Sequence, residues 1–391
     1  MQKVFVVDAC RTPIGKTGGS LVEYSDTDLM AFTMNSIMER NSKYPLPQEV
    51  MIGCCFPQEH RNLAKKATVQ ANLPSHIPAV TINRTCASSM EALIQGFYRI
   101  SFGDADIILV GGTENMNRNP HVMKMNIQNA RKYIKSGLPE MPQSLPEESL
   151  LDSIGMSVDM SARDLHIDKK EQDEYSVCSH EKAETAWRNG RFNSEIVPIN
   201  HSSEDRCISK DEGINATISE IDYKEANPLY FINGTITKHN ASSISDGAAA
   251  ILLMSEREVR KYALQPIAEV ISSSLIGTKP ENISTAAADA YLNLIYKNKL
   301  NHSDIQLIEC NEAYAAQAIA CIRKANWETQ KVNVNGGSLS IGHPLGCTGV
   351  RICTTLLYSM KQTSSSFGVA TMCAGGGMGQ AILFKLFEGD F

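Results

Sequence analysis

The chain has 391 residues, 42% of them hydrophobic and 20% charged, with 37 Lys+Arg against 43 Asp+Glu and a formal net charge of -6, a length that allows about two or three domain-sized units. That balance excludes a general electrostatic footprint for nucleic acid, because polyanion binding depends on Lys and Arg that neutralise phosphates, so any anionic ligand has to be met by local basic groups. The 11 cysteines are scattered, odd in number and never spaced as CxxC, which excludes a zinc module or a disulfide framework and fits reduced thiols in a cytoplasmic protein.

Residues 4–7 form a short, β-branched, wholly apolar run of the kind a doubly covered strand uses. The run is too short for a secretory core segment of about 7–15 residues, and the longest later run, 248–254, falls far below the roughly 18 residues of a membrane helix. No membrane span is expected. After a loop at Arg11-Thr12-Pro13-Ile14-Gly15, the pattern predicts a helix over 25–40, a strand over 80–82, a helix over 88–100 and a strand over 106–110 that stops at Gly111-Gly112. Strands alternating with helices indicate an α/β fold. From about 117 to 245 the composition shifts to a loop-rich insertion. Within it Asp168 and Glu171 stand at capping-box spacing before a charged helix over 168–187, which Asn189-Gly190 ends.

The end of the chain repeats the opening grammar. A strand over 332–335 is expected to lead into a Gly-rich loop, followed by a helix over 348–360 and a strand over 367–372 that stops at Gly375-Gly376-Gly377. In both copies a strand ends in Asn, at Asn83 and Asn335, and a reactive-looking loop follows, which suggests two related α/β halves.

Several familiar motifs fail. A phosphate loop ending at Gly15-Lys16-Thr17 needs glycine at position 10, which is Cys10; a zinc-protease helix starting at His180-Glu181 needs a second histidine where Glu184 stands. Ser340-Ile341-Gly342 lacks the glycine of a nucleophile elbow, because position 338 is serine.

Four segments carry chemistry. Asn83-Arg84-Thr85-Cys86-Ala87-Ser88-Ser89-Met90-Glu91 sets Cys86 between a strand and a helix amino terminus, with Ser88 and Glu91 at capping-box spacing. The unpaired amides and helix dipole there favour a thiolate, although a cysteine read alone is more often a buried packing residue. The run from Asn335 to Gly349 places five glycines around His343, with Pro344 fixing its loop, an arrangement that implies close backbone approach. Cys373-Ala374-Gly375-Gly376-Gly377-Met378-Gly379 sets a second thiol at a strand end beside backbone able to reach a substrate oxygen. Asn311-Glu312-Ala313 adds a polar triplet before an apolar helix. A thiolate that forms a thioester, a histidine that shuttles its proton and a second thiol that moves a proton on carbon suit Claisen chemistry on thioesters.

Taken together, these residues resemble the thiolase family over essentially the whole chain. Arg11-Thr12-Pro13-Ile14-Gly15-Lys16, Cys86-Ala87-Ser88-Ser89-Met90, Gly111-Gly112-Thr113-Glu114-Asn115-Met116, Ser245-Asp246-Gly247-Ala248-Ala249-Ala250, Asn311-Glu312-Ala313, Gly342-His343-Pro344-Leu345-Gly346 and Cys373-Ala374-Gly375-Gly376-Gly377-Met378-Gly379 match its signatures in order. The resemblance implies a five-layered α-β-α-β-α fold of two similar halves, 1–260 and 261–391, with the loop domain inserted at about 117–245. It also implies a homodimer or homotetramer and no tightly bound cofactor, coenzyme A and acyl-CoA being substrates.

By the same resemblance Cys86 accepts the acyl group, His343 deprotonates Cys86 or the incoming coenzyme A thiol, and Cys373 is the acid/base at the α-carbon. His343 and a water held by Asn311 bind one thioester oxygen, and the amides of Cys86 and Gly375 bind the other. Ser242 fits the pantetheine-side serine. Asn227 stands where many members carry Lys or Arg before Pro228, so Lys224 or the basic stretch 118–135 is expected to meet the coenzyme A phosphates. The His-Met-Gly segment of biosynthetic members is replaced by Ser153-Ile154-Gly155-Met156. Cleavage of 3-ketoacyl-CoA in fatty-acid degradation is therefore the leading expectation, ahead of acetoacetyl-CoA thiolase activity. A non-catalytic acyl-CoA or lipid binder and a decarboxylating ketoacyl synthase are the more distant alternatives, and Cys373 argues against the latter.

Overall fold

The computed structural model describes residues 2–58, 60–118, 154–200, 207–218 and 220–389. Its long strands are β1 (Val4–Arg11), β2 (Glu49–Gly53), β3 (Ala79–Ile82), β4 (Ile107–Asn115), β5 (Ser245–Ser255), β6 (Ala268–Gly277), β7 (Leu307–Cys310), β8 (Phe367–Ala374) and β9 (Met378–Leu386). The principal helices are α1 (Asp26–Arg40), α2 (Leu63–Gln70), α3 (Ser88–Phe102), α4 (Ile154–Asp164), α5 (Lys169–Arg188), α6 (Ala286–Lys297), α7 (Ala315–Ala325) and α8 (Leu345–Thr363).

β1 is buried along all its length, as a strand covered on both faces must be. Val4 and Val6 face one core and Phe5 and Val7 the other. The register with β5 shifts between Val6 and Asp8. This bulge inserts one residue and inverts the alternation, so that Ala9 rather than Asp8 joins Val4 and Val6. Asp8 is left to pair with Arg40 at 2.9 Å.

The nine strands form one sheet in the order β7-β8-β9-β6-β1-β5-β4-β2-β3. Inward from β3 the pairs run parallel, parallel, antiparallel, antiparallel. Inward from β7 they run parallel, antiparallel, antiparallel. The second run repeats the first without its outermost parallel pair, and an antiparallel β1–β6 pair joins the two. Three hydrophobic cores define five layers. One lies between α1/α2 and the first half-sheet, one around α3 and α8 between the half-sheets, and one between the second half-sheet and α6/α7. This is the layered α-β-α-β-α architecture that the sequence resemblance implies.

The termini of the central helices meet at close quarters. A Cβ on Gly349 would stand 2.4 Å from the Met90 amide nitrogen, and Val350 N–H donates to Ser89 Oγ at 3.0 Å. α3 and α8 thus open side by side, one from each half.

Some local expectations are corrected. Gly111 and Gly112 do not stop β4, which runs on to Asn115. They lie inside it because a Cβ on Gly112 would sit 2.1 Å from the Gly346 carbonyl oxygen. Residues 332–335 make a single bridge, Ile308 to Val332, and then turn. Asn333 adopts φ 47, and its side chain binds Cys310 N–H and carbonyl at 2.8 and 2.9 Å in place of a ladder. α3 is capped by Ala87 with no side-chain bond. Ser88 Oγ instead donates to Thr85 O at 2.6 Å, and Glu91 is taken by Arg84, Gln95 and Gln380. Asp168 does cap α5 through Glu171 N–H, but the Glu171 carboxylate pairs with Arg323. Between 117 and 245 the described residues are substantially helical, in α4 and α5.

That inserted segment is fastened to the end of β1 by Arg11. Its guanidinium is fully buried, donating to Glu195 at 2.6 Å and to both oxygens of Asp211 at 2.7 and 2.9 Å. Removing one partner of a buried ion network leaves uncompensated charge behind. Arg11→Met, which strands Glu195 and Asp211, is expected to lower unfolding stability by about 3–5 kcal/mol, measured as a fall in the urea midpoint. A midpoint within error of the parent would show that this network does not fasten the insertion.

Candidate active site

Cys86 lies in a tight turn built by its neighbours. Asn83 Oδ1 accepts from Thr85 N–H at 3.0 Å, an Asx turn, and Thr85 takes a left-handed φ of 47. The Thr85 carbonyl also receives the Cys55 thiol at 2.8 Å. This geometry delivers Cys86 to the opening turn of α3, with its sulfur receiving N–H groups from Gly375 and from its own backbone. Burial pushes the thiol up to about 11, against the pull of those two donors.

Gly375 belongs to the turn between β8 and β9, where Ala374 pairs with Met378. Gly376 and Gly377 adopt φ 87 and 79, the left-handed region that glycine enters without a Cβ penalty. A side chain on Gly377 would also strike the Thr278 carbonyl at 2.7 Å. The turn aims the Gly375 amide across at Cys86. Cys373 sits two residues earlier, buried, its thiol raised by burial and by the neighbouring Cys86. Tyr314 feels both thiols, and its hydroxyl meets that of Tyr230 at 2.9 Å.

His343 is the third buried group, on the loop before α8. Gly342 adopts φ 116 there, and a Cβ would collide with Ser245 Oγ at 2.5 Å. Thr348 Oγ1 lies 2.7 Å from His343 Nδ1 and donates its one proton to the Pro344 carbonyl at 2.8 Å. It can therefore only accept from the ring. The Nδ1–H tautomer follows, with Nε2 unprotonated and facing Asn311 Nδ2 at 3.4 Å. Burial, aided by the Arg351 charge, lowers the ring to about 3, so the imidazole rests neutral.

Two buried carboxylates hold these loops together across the molecule. Glu114 of β4 accepts from Cys55 N–H, Phe56 N–H and Gly346 N–H at 2.8–2.9 Å, linking the first half to the His343 loop. Glu312 accepts from Tyr175, Ser179, Asn333 and Leu339 N–H, tying the inserted α5 to the second half. Neither role was expected from sequence.

Of the expected ligand contacts, Ser242 reaches this region, its N–H donating to Ala313 O at 3.0 Å. Lys224 does not join the thiols; it lines a separate cavity of about 800 Å³ with Lys169, Lys170 and Tyr223. Asn227 is exposed. Arg118 donates to the Glu23 carbonyl at 3.3 Å, and the rest of the basic stretch 118–135 lies outside the described residues. No group of three His, Cys, Asp or Glu side chains is placed to hold a metal among the described residues. No helix among them is long and apolar enough to cross a membrane.

These two thiols and the neutral histidine can be set beside known proteins. Residues 4–257 match the thiolase N-terminal domain and residues 264–386 the thiolase C-terminal domain. The chain is 34% identical to an acetyl-CoA acetyltransferase of Cupriavidus necator, covering 98% of this chain and 99% of that one. It is 33% identical to a 3-ketoacyl-CoA thiolase of Bacillus subtilis, covering 99% and 100%. The structure resembles human mitochondrial 3-ketoacyl-CoA thiolase in complex with CoA, with a TM-score of 0.89, 28% identity and 99% and 98% coverage. The chain belongs to the thiolase family and is an acyltransferase of that family.

Proposed function

We propose that the chain cleaves 3-ketoacyl-CoA with coenzyme A through an acyl-Cys86 intermediate, and runs the reverse Claisen condensation by the same steps. The observation that carries this reading is the Gly375 amide at the Cys86 sulfur with Cys373 alongside. Cys86 attacks the 3-keto carbon as its proton passes to His343 Nε2. With the Cys86 thiol near 11 and the His343 imidazole near 3, both groups rest neutral. The proton then moves as sulfur bonds to carbon and charge passes to the oxygen. Amides of Cys86 and Gly375, already aimed, receive that charge without reorganising.

The C2–C3 bond then breaks, its electron pair leaving as the acetyl-CoA enolate held at His343 and Asn311, and the Cys373 thiol protonates the carbon. The imidazolium returns its proton to the Cys373 thiolate, which frees His343 to take the proton of incoming coenzyme A. That thiol displaces Cys86, whose thiolate takes the proton back from His343, and the shortened acyl-CoA is released. Ser242 is assigned to pantetheine and Lys224 to the phosphates. The working unit is proposed as a cytoplasmic homodimer or homotetramer in fatty-acid degradation, with its halves at 1–260 and 261–391.

Ile154 supports the longer substrate, since its Cδ1 lies 3.4 Å from where a Cβ on Gly375 would be, an apolar surface beside the reacting centre. The Tyr230–Tyr314 hydroxyl pair near both thiols favours a second reading, the condensation of two acetyl-CoA. Coenzyme A-dependent cleavage of acetoacetyl-CoA and of a medium-chain 3-ketoacyl-CoA separates the two. The medium-chain kcat/KM is expected to equal or exceed the other, and no turnover of it would overturn this order.

A further inference from the structure

Arg351 lies on α8, two turns beyond the His343 loop and fully buried. A buried guanidinium is costly unless its fork is filled, yet this one closes on no carboxylate among the described residues. Its Nε and Nη1 have no hydrogen-bond partner there, and only Nη2 is used, donating to Ser338 Oγ at 2.6 Å. Ser338 in turn donates to Asn311 Oδ1 at 2.6 Å.

Directions along this chain are forced. Arg351 can only donate, so Ser338 Oγ accepts from it and turns its single proton to Asn311. An acceptor at that end makes it the Asn311 oxygen, which leaves the Asn311 NH₂ facing His343 Nε2. From the other side Thr348 fixes the Nδ1–H tautomer.

We propose that Arg351 is a positioning residue that acts through Ser338 to lock the Asn311 amide, keeping a donor rather than an acceptor at His343 Nε2. This rests on the reading of His343 as the proton acceptor for Cys86. Without Arg351 the Ser338 hydroxyl is free to rotate and Asn311 to turn its oxygen to the ring. An acceptor at Nε2 then favours imidazolium, which cannot take a proton. The guanidinium charge acts in the same sense, opposing protonation of the ring. The other titratable groups around this loop include Glu114 on the Gly346 amide, Glu312 on the Leu339 amide and Glu309 of β7, whose carboxyl burial raises to about 8, while Arg11 and Glu195 also act on Arg351. None of these residues is substituted below, but Arg351 itself holds the Glu309 carboxyl down, so Ser338→Ala is the variant that breaks the chain without also shifting Glu309.

The test compares the parent with Ser338→Ala, Arg351→Met and Arg351→Lys for thiolysis of acetoacetyl-CoA across pH 5–9, with melting curves as the fold control and His343→Ala alongside. Ser338→Ala and Arg351→Met are expected to lower kcat about 100-fold, as small misplacements of catalytic groups do, with KM nearly constant. The acid limb of kcat/KM, far below 6.5 in the parent, should move up toward it. Arg351→Lys, which retains a charged donor, should recover about tenfold or more of the loss in Arg351→Met. Should Arg351→Met fail to fold, Ser338→Ala decides alone. Parent-like kcat and an unmoved acid limb in folded Ser338→Ala overturn the proposal while leaving His343 as base. Full activity in His343→Ala would remove that reading and this inference with it.

Discussion

Replacing Cys86 by alanine is expected to abolish the acyl-enzyme and to lower thiolysis by about 10⁴-fold or more, the scale on which loss of a covalent nucleophile is felt. Intact-mass measurement after incubation with acetyl-CoA should show the acetyl adduct on the parent and none on Cys86→Ala. The fold should survive, because the change removes one sulfur from a site already walled by Ala87, Met90 and Ala374 in the central core. The cost of such a small cavity is on the order of 1 kcal/mol. An adduct of unchanged stoichiometry on Cys86→Ala would move the nucleophile to another of the buried thiols.

Cys373→Ala is the complementary case. It should still form the acetyl adduct from acetyl-CoA, because thioester exchange moves no proton on carbon. Cleavage of acetoacetyl-CoA should fall by about 10²–10⁴-fold, the usual contribution of general acid-base catalysis. Exchange of the acetyl methyl protons of acetyl-CoA with deuterated solvent, followed by NMR, reads the same step directly and should disappear. The neighbouring charge is informative too. Cys86 raises the pKa of Cys373, so in Cys86→Ala the Cys373 thiol should ionise more readily and its alkylation by iodoacetamide should quicken. Retained deuterium exchange in Cys373→Ala would refute the assignment.

The sequence made some of these parts legible and concealed others. His343, Cys373 and Gly375 stood out because they sit in glycine-rich segments whose composition makes poor sense as packing, and Cys86 because it lies between a strand and a helix amino terminus. Asn311 stood out through its polar neighbours before an apolar helix. The same reading took Gly111 and Gly112 as a strand end, whereas they make room for the Gly346 carbonyl arriving from the other half. Close approach between halves leaves no mark at a spacing of more than 200 residues. For the same reason the roles of Glu114, Glu312, Ser338 and Arg351 were not legible, since each acts on a partner that only tertiary structure supplies. Thr348 was closer to being found. A hydroxyl five residues after a histidine, at the opening of a helix, is a local pattern, and its geometry fixes the tautomer. The Ser88–Glu91 spacing misled because stronger partners claim both side chains.

The place of β1 in the sheet bears on how the molecule is made. Its two neighbours are β5, residues 245–255, and β6, which it meets at residues 268–270. As the chain leaves the ribosome, this strand therefore has both hydrogen-bonding edges open until the ribosome has passed residue 255, and one until it has passed residue 270. At about 5–20 residues per second that interval is roughly 10–50 s. Throughout it an apolar strand meant for the middle of a sheet is an unpaired template for any other strand. Successful production thus depends on shielding nascent chains during that window, and overexpression, which crowds them together, is expected to fill inclusion bodies before it saturates activity.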